Sequence, residues 1–338
     1  MMSAKATLTA LLLAGSALAK DQCVPKGNCS DTSVISDYST LRLREVGARN
    51  TLDWRVWLLR DGKPISFWHD VPTYPDESNH QVVNMVVEIP RWTNGKLEIK
   101  RDEPLNPIFH DEKKDLPRFV ENVWPHKSYP FLYGSVPQTW ESPNFDHEFT
   151  NFPGDNDPVD IIDIGDNVGY VGQVKQVKVL GGLALNDGDE TDWKVLAIDV
   201  NDPLAPLVNS VEDVEKYRPG LTKTYYDWFT YYKVARGDDV IPIVGEKWQE
   251  KAFIIDVLED SHGFWKELVG GKVDPNEINY NQTSVDSIDS FISRCKTNAE
   301  FDIPKKNAKK PAAPVPEKYT WWYYLDADYK LIELPKSS

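Results

Sequence analysis

The feature that most constrains this chain is a succession of short apolar runs with a two-residue period, cut by glycine, proline and asparagine. Val82 to Glu88 alternates, with Val83, Met85 and Val87 on one side and Asn84, Val86 and Glu88 on the other. Asn94-Gly95 reads as a tight turn, after which Lys96-Leu97-Glu98-Ile99-Lys100 alternates again. Leu97 and Ile99 then point into a core, while Lys96, Glu98 and Lys100 share the opposite face. Leu52 to Leu59, Gly169 to Leu185 and Trp193 to Val200 read as further strands. Strands this short and this punctuated predict a β-barrel rather than a parallel sheet. Helices are expected late. Ser210 is an N-cap candidate and Pro219-Gly220 a stop. Tyr225, Trp228, Phe229 and Tyr232, then Phe253, Val257, Phe264 and Leu268, recur at helical spacing.

The flanks differ from this body. Residues 1–19 carry Lys5, the apolar run Leu8 to Leu13 and the ending Ala17-Leu18-Ala19, the order of a secretory signal peptide cleaved before Lys20. The run is too short for a transmembrane anchor. Secretion or a vacuolar-type compartment is the expected destination, with mitochondrial or cytoplasmic residence as the alternatives. Residues 20–40 form a polar leader. Residues 41–270 have the texture of one folded domain. Residues 271–338 form a C-terminal extension in which Pro304 to Glu317 reads as a linker without packing potential. The aromatic cluster Tyr319 to Tyr324 beyond it needs a surface to dock on, on this chain or on a partner. Cys23 and Cys29 could close a small loop, which leaves Cys295 over; three free thiols are the alternative. Asn28 and Asn281 begin N-x-[ST] triplets.

Chemistry concentrates in Gly154-Asp155-Asn156-Asp157-Pro158-Val159-Asp160-Ile161. Three aspartates crowd between hydrophobic positions rather than in a charged loop. On an extended chain Asp155 and Asp157 share a face, and the bend at Pro158 turns Asp160 toward it. Carboxylates so close repel unless protonated or neutralised by a cation, and hard oxygen ligands suit Mg²⁺; a solvated acidic turn is the alternative reading of the motif taken alone. An EF-hand is excluded, because its sixth and twelfth places hold Asp160 and Asp166. A second acidic stretch, Asp187-Gly188-Asp189-Glu190-Thr191-Asp192-Trp193-Lys194, runs straight into a strand. Mixed acids and lysines without a nucleophile are what phosphoryl transfer to water requires.

The net charge of −15 argues against nucleic acid and anionic lipid as partners. An anionic substrate then needs a cation between it and the protein. There is no G-x-x-x-x-G-K-[ST], no G-x-S-x-G and no HExxH, which removes P-loop, serine-hydrolase and zincin readings.

Asp155-Asn156-Asp157-Pro158-Val159-Asp160-Ile161 resembles the signature D-[SGDN]-D-[PE]-x-D-x of family I soluble inorganic pyrophosphatases. Val87 to Asn94, Val136 to Glu141 and Asp199 to Ala205 resemble the eukaryotic branch, and the likeness runs from about Leu43 to Gly270. The resemblance implies an OB-like closed five-stranded barrel with flanking helices, a homodimer, and Mg²⁺-dependent hydrolysis of pyrophosphate to two orthophosphates by in-line attack of a metal-bridging hydroxide. It implies that Asp155, Asp160 and Asp192 hold the tightest Mg²⁺. Asp160 would share a second ion, Asp187 a third with Asp192, and Glu98 a fourth. Asp157 is implied as the base for the attacking water and Tyr129 as proton donor. Lys96, Arg118, Tyr133, Lys194, Tyr232 and Lys233 are implied as phosphate ligands, and Glu88 as a second-tier acid. Two metals on one water lower its pKa from about 15.7 toward neutral, so no histidine is needed. Without the resemblance, Tyr129, Tyr133 and Tyr232 read as core aromatics and Arg118 as a surface arginine. Gly188 and Asp189 depart from the family pattern, as does Ala235 to Asp239, which lacks a lysine usual there. A catalytically silent binding protein on the same barrel is the competing reading.

Overall fold

The computed structural model describes residues 32–332. The signal peptide, Cys23, Cys29 and Asn28 lie outside them. The chain opens with β1 (Arg42–Ala48), β2 (Arg55–Arg60) and β3 (Lys63–Ile65), then β4 (Val82–Ile89), β5 (Leu97–Ile99) and β6 (Ile108–His110). Three two-residue pieces follow: β7 (Glu112–Lys113), β8 (Leu116–Pro117) and β9 (Asn122–Val123). Next come β10 (Leu132–Ser135), β11 (Asp160–Asp163), β12 (Val174–Asn186) and β13 (Thr191–Asp199). Helices α1 (Val211–Tyr217) and α2 (Leu221–Tyr231) precede β14 (Gln249–Glu250) and the long α3 (Lys251–Val269). The remainder carries α4 (Thr297–Glu300), β15 (Ala308–Lys310) and β16 (Trp322–Tyr323).

Strands β4, β10, β11, β13 and β12 close into a ring, since β12 pairs with both β13 and β4. Only the β11–β13 pairing in the ring is parallel. The expected closed five-stranded barrel is therefore present. The two-residue alternation sorts its wall. Val83, Met85, Val87, Ile161, Val177, Val179, Val195 and Ala197 join one buried cluster with Ile254, Val257 and Leu258 of α3. The opposite parity carries Val86, Ile162, Leu196 and Ile198 into a second cluster with α2. Burying either set from water is the main favourable term in closing the ring.

A second sheet, in the order β15-β1-β2-β6-β5 with β3 beside β2, lies alongside. Leu97 and Ile99 of β5 are buried as the alternation requires, leaving Lys96 and Glu98 on the other face. Ser210 caps α1, accepting from Asp213 N at 3.2 Å, and α1 stops before Pro219. Tyr225, Trp228 and Phe229 bury one face of α2 against Phe131, with ring centroids 4.9, 5.0 and 5.1 Å away.

Two expectations about the C-terminal residues need correction. The stretch from Pro304 to Glu317 is not a bare linker: β15 pairs in parallel with β1, and Ala313 N donates to Arg49 O at 2.9 Å. Its side chains stay exposed, so the attachment is made by the backbone, which side-chain hydropathy does not report. Cys295 is not left over; it is disulfide-bonded. The aromatic cluster docks on its own chain, where β16 pairs with β9 and Tyr319 lies 5.0 Å from Phe119.

Ring closure is tightest at Gly134 of β10, where a Cβ would come 1.9 Å from Val86 O. Gly134→Ala is expected to abolish cooperative unfolding or solubility. Gly263→Ala, in open space on α3, is expected to be neutral or to stabilise by ~0.5–1 kcal/mol in denaturant unfolding. Equal stability of the two variants would contradict this account of closure.

Candidate active site

The strand registers bring the polar side chains of the barrel wall to one place. Ser135 sits opposite Asp160, and Asp160 opposite Lys194. Asp192, two residues before Lys194, and Glu88 on β4 fall on the same face. Glu88 is buried and accepts from Ser135 Oγ at 3.0 Å and from Ile99 N at 3.1 Å, which ties β5 to the barrel. That tie delivers Lys96 and Glu98. The end of α2 delivers Tyr232, stacked on Trp228 at 4.4 Å, and then Lys233.

The aspartate loop is not extended, contrary to the reading that put Asp155 and Asp157 on one face of a straight segment. Asn156 has φ 72°, and Asp157 N donates back to Asp155 Oδ1 at 3.0 Å. The turn is pinned from three sides. Gly154 packs so closely that a Cβ would meet Glu141 O at 2.3 Å, and Trp140 Nε1 donates to Asn156 Oδ1 at 3.0 Å. Glu141 N donates to Asp157 O at 2.9 Å, and Asn156 N to Glu141 O at 2.9 Å. At the other acidic stretch, Gly188 (φ 76°) and Asp189 (φ 66°) form the two central residues of the β12–β13 hairpin. Positive φ at both is the type I′ turn that matches strand twist. The departures at 188 and 189 thus still make a tight turn with Asp187 at its start.

These elements surround a cavity of about 470 Å³. Of the fourteen residues expected at the site, twelve line it. Lys233 stands behind Asp187, to which it donates, and Tyr129 is buried against Tyr133 with ring centroids 5.4 Å apart. Eleven acidic side chains and five basic ones form the lining. Most of the expected ligands already hold a protein cation. Lys194 donates to both Asp160 and Asp192, Lys96 lies 3.0 Å from Glu98, and Arg101 3.1 Å from Asp157. Tyr133 Oη donates to Asp160. Asp155 has no ion pair among the described residues.

The excess of acid shows in the proton affinities. Burial pushes the Asp155 carboxyl well above its usual range, and Asp157 and Asp192 push it the same way. Burial raises Asp192 to about 6, with Lys194 offsetting only part, and raises Glu98 to about 7 against the pull of Lys96. Asp157 is raised by burial, moderated by Arg101 and Lys96. Burial also opposes ionisation of Asp187, but Lys233 and Lys194 outweigh it and the net shift is downward. For Lys194 burial disfavours the charge, yet Asp160 and Asp192 hold it protonated well above the usual range. Such a cluster favours proton or cation uptake.

Three residues of this neighbourhood escaped the sequence reading. Glu141, Asp155 and Asp192 bring carboxylate oxygens within 4.8 Å of one another, a spacing that could hold a metal ion. Glu141 is buried, and its Oε2 has no hydrogen-bond donor among the described residues. Arg101 and Asp111 also line the cavity, Asp111 accepting from Arg118 at 2.8 Å. The available signal was a single acid beside Trp140 in a mixed polar and apolar stretch, and it points nowhere until the loops are folded.

A model of the family described as inorganic pyrophosphatase matches residues 85–266. The chain is 47% identical to the inorganic pyrophosphatase of Kluyveromyces lactis over 285 residues, 83% of this chain and 97% of that protein. Against the inorganic pyrophosphatase of Neurospora crassa the figures are 45% over 296 residues, 86% and 98%. The solved inorganic pyrophosphatase of Schistosoma japonicum superposes with a TM-score of 0.78 at 37% identity, covering 84% of this chain and all of that one. An N-terminally truncated vacuolar soluble pyrophosphatase of Trypanosoma cruzi, solved with pyrophosphate, gives 0.63 at 37% identity, covering 68% and 90%. Fold, site and sequence agree: the chain belongs to the inorganic pyrophosphatase family.

Proposed function

We propose that this pyrophosphatase works with Mg²⁺ held by Asp155, Asp160 and Asp192, with Asp187 and Glu98 taking the further ions. The observation that carries the reading is the convergence of these carboxylates with Lys96, Arg118 and Lys194 on one acid-rich cavity. The donor set suits a hard divalent cation: all oxygen, crowded, and short of protein cations. The unpartnered Oε2 of Glu141 beside Asp155 and Asp192 supports a further oxygen donor there, directly or through water. When bound, such ions polarise phosphoryl oxygens and acidify water.

The chain's own groups divide the remaining work. Arg118, Lys96, Lys194, Lys233, Tyr133 and Tyr232 orient the phosphates, Arg118 with the geometry for a bidentate grip. Asp157, whose burial raises its proton affinity, accepts the proton of the attacking water as a P–O bond forms on one phosphorus. The bond from that phosphorus to the bridging oxygen breaks, and Tyr129, protonated in its buried position, is assigned to supply the leaving phosphate with its proton. Glu88 holds β5 in register with the barrel. Asp157→Asn should lower Mg²⁺-dependent phosphate release by at least ~10²-fold with little change in melting temperature. Undiminished release would remove Asp157 from the mechanism.

The cation requirement also has a stability signature. For a carboxyl raised on folding, the folded chain binds protons more tightly, so stability is lost as pH rises through the raised value. The buried histidines, lowered by desolvation, act in the opposite sense, but they cancel when melting with Mg²⁺ is compared with melting in EDTA at the same pH. Asp192 at about 6 and Glu98 at about 7, with Asp155 raised in the same direction, must lose their protons to take the cation. The rise in melting temperature that Mg²⁺ gives over EDTA should therefore grow between pH ~5.5 and ~7.5. A Mg²⁺ increment that is flat or shrinks over that range would contradict the assignment.

A homodimer is the assembly we favour, supported by an exposed aromatic patch of Trp124, Trp322 and Tyr324, with Trp124 5.5 Å from Trp322. Trp124→Glu should convert the dimer to monomer in sedimentation equilibrium, whereas an unshifted mass would exclude this face. The leader of residues 1–19 supports entry into the secretory pathway, and the disulfide at Cys295 suits its oxidising conditions.

A further inference from the structure

A second cavity of about 520 Å³ lies on the far side of Glu141 from the acidic site. Its walls are aromatic. Phe253 lies 5.8 Å from Trp193 and 5.3 Å from Phe149, and Phe264 stacks on Phe145 at 5.5 Å. Its rim carries Asp146, Glu148, Asp256 and Asp260, all exposed and none ion-paired among the described residues. No lysine or arginine is among its described lining residues. At its back stands Glu141, only 4% exposed, with Oε1 accepting from Trp193 N at 2.8 Å and Oε2 unpartnered.

We propose that this cavity binds a compact organic cation with an aromatic or alkyl body, whose charge sits over the aromatic faces and within reach of the rim carboxylates. Ring quadrupoles attract cations, and unpaired carboxylates around an apolar pocket reject anions and add attraction at the mouth. Desolvation of a hard metal ion against phenyl rings is unfavourable, so the apolar walls select an organic ammonium over an inorganic cation. The occupant would also reach the reaction centre. Glu141 holds the Asp155–Asp157 turn through two main-chain hydrogen bonds, each 2.9 Å long, so pressure on Glu141 is passed to the carboxylates in front of it. The binding is independent of the metal assignments above; its effect on Mg²⁺ dependence rests on them.

The test is calorimetric titration of the full mature chain with benzyltrimethylammonium in excess Mg²⁺, beside an Asp256→Asn/Asp260→Asn variant. Both substituted positions are exposed on α3, away from the reaction centre. The expected result is saturable binding at one site per chain, weakened by salt and roughly tenfold weaker in the variant. Basal pyrophosphate hydrolysis of the variant should be unchanged. The probe should shift the half-activating Mg²⁺ concentration of the wild type, and the variant should need roughly tenfold more probe for the same shift. Absence of saturable binding, or equal affinity in the two proteins, would overturn the site. Binding that leaves the Mg²⁺ dependence unmoved would overturn the coupling through Glu141.

Discussion

The mutual repulsion of buried carboxylates is the constraint on which the rest of this structure depends. Asp155, Asp192 and Glu141 are held with oxygens within 4.8 Å of one another, and Asp160 joins Asp192 on the same lysine. Such an arrangement is unfavourable in isolation, because burial and like charge both oppose ionisation. It persists because the backbone around it is over-determined. Gly154 is wedged against Glu141, Asn156 is locked in a left-handed turn, and β11 and β13 are in fixed parallel register. The cluster is therefore a place where the fold stores charge for a cation to neutralise.

The same logic explains the distribution of protein cations. Lys194 sits between Asp160 and Asp192, Lys233 on Asp187, Lys96 beside Glu98 and Arg101 beside Asp157. These pairs are partly or fully buried, so removing one partner leaves an uncompensated charge at greater cost than a surface pair would. In the mechanism proposed above, phosphate oxygens would compete for the cations and metal for the carboxylates, so that one set of side chains would serve two states.

Much of this was legible in the chain. The alternation at Val82 to Glu88 and Lys96 to Lys100 assigned faces that the barrel and the second sheet respect, because a strand has only two faces and one of them is buried. The crowding of Asp155, Asp157 and Asp160 pointed to the site only together with the second acidic stretch at Asp187 to Lys194 and the family signature, since an acidic turn in solvent has the same local pattern. Tyr232 shows the limit of periodicity. It continues an aromatic helical stripe, yet stands one residue past the end of α2 and lines the cavity. Glu141 and Arg101 were not legible, because their significance is a contact with residues distant in sequence. The pairing of β15 with β1 escaped for a different reason: main-chain hydrogen bonds are available to any non-proline sequence and leave no mark in hydropathy.

The sequence by itself determined which side chains face which way along β4 and β5, where α1 begins and stops, and that a dense set of acids calls for a cation. Those properties follow from local geometry and from charge. Tertiary structure alone decided which acids meet, which lysine each one holds, and that a second, aromatic cavity backs the first. Those outcomes depend on the register at which β11 meets β13 and on the approach of the Glu141 segment to the aspartate turn. Both are distances between remote parts of the chain, which no local pattern encodes.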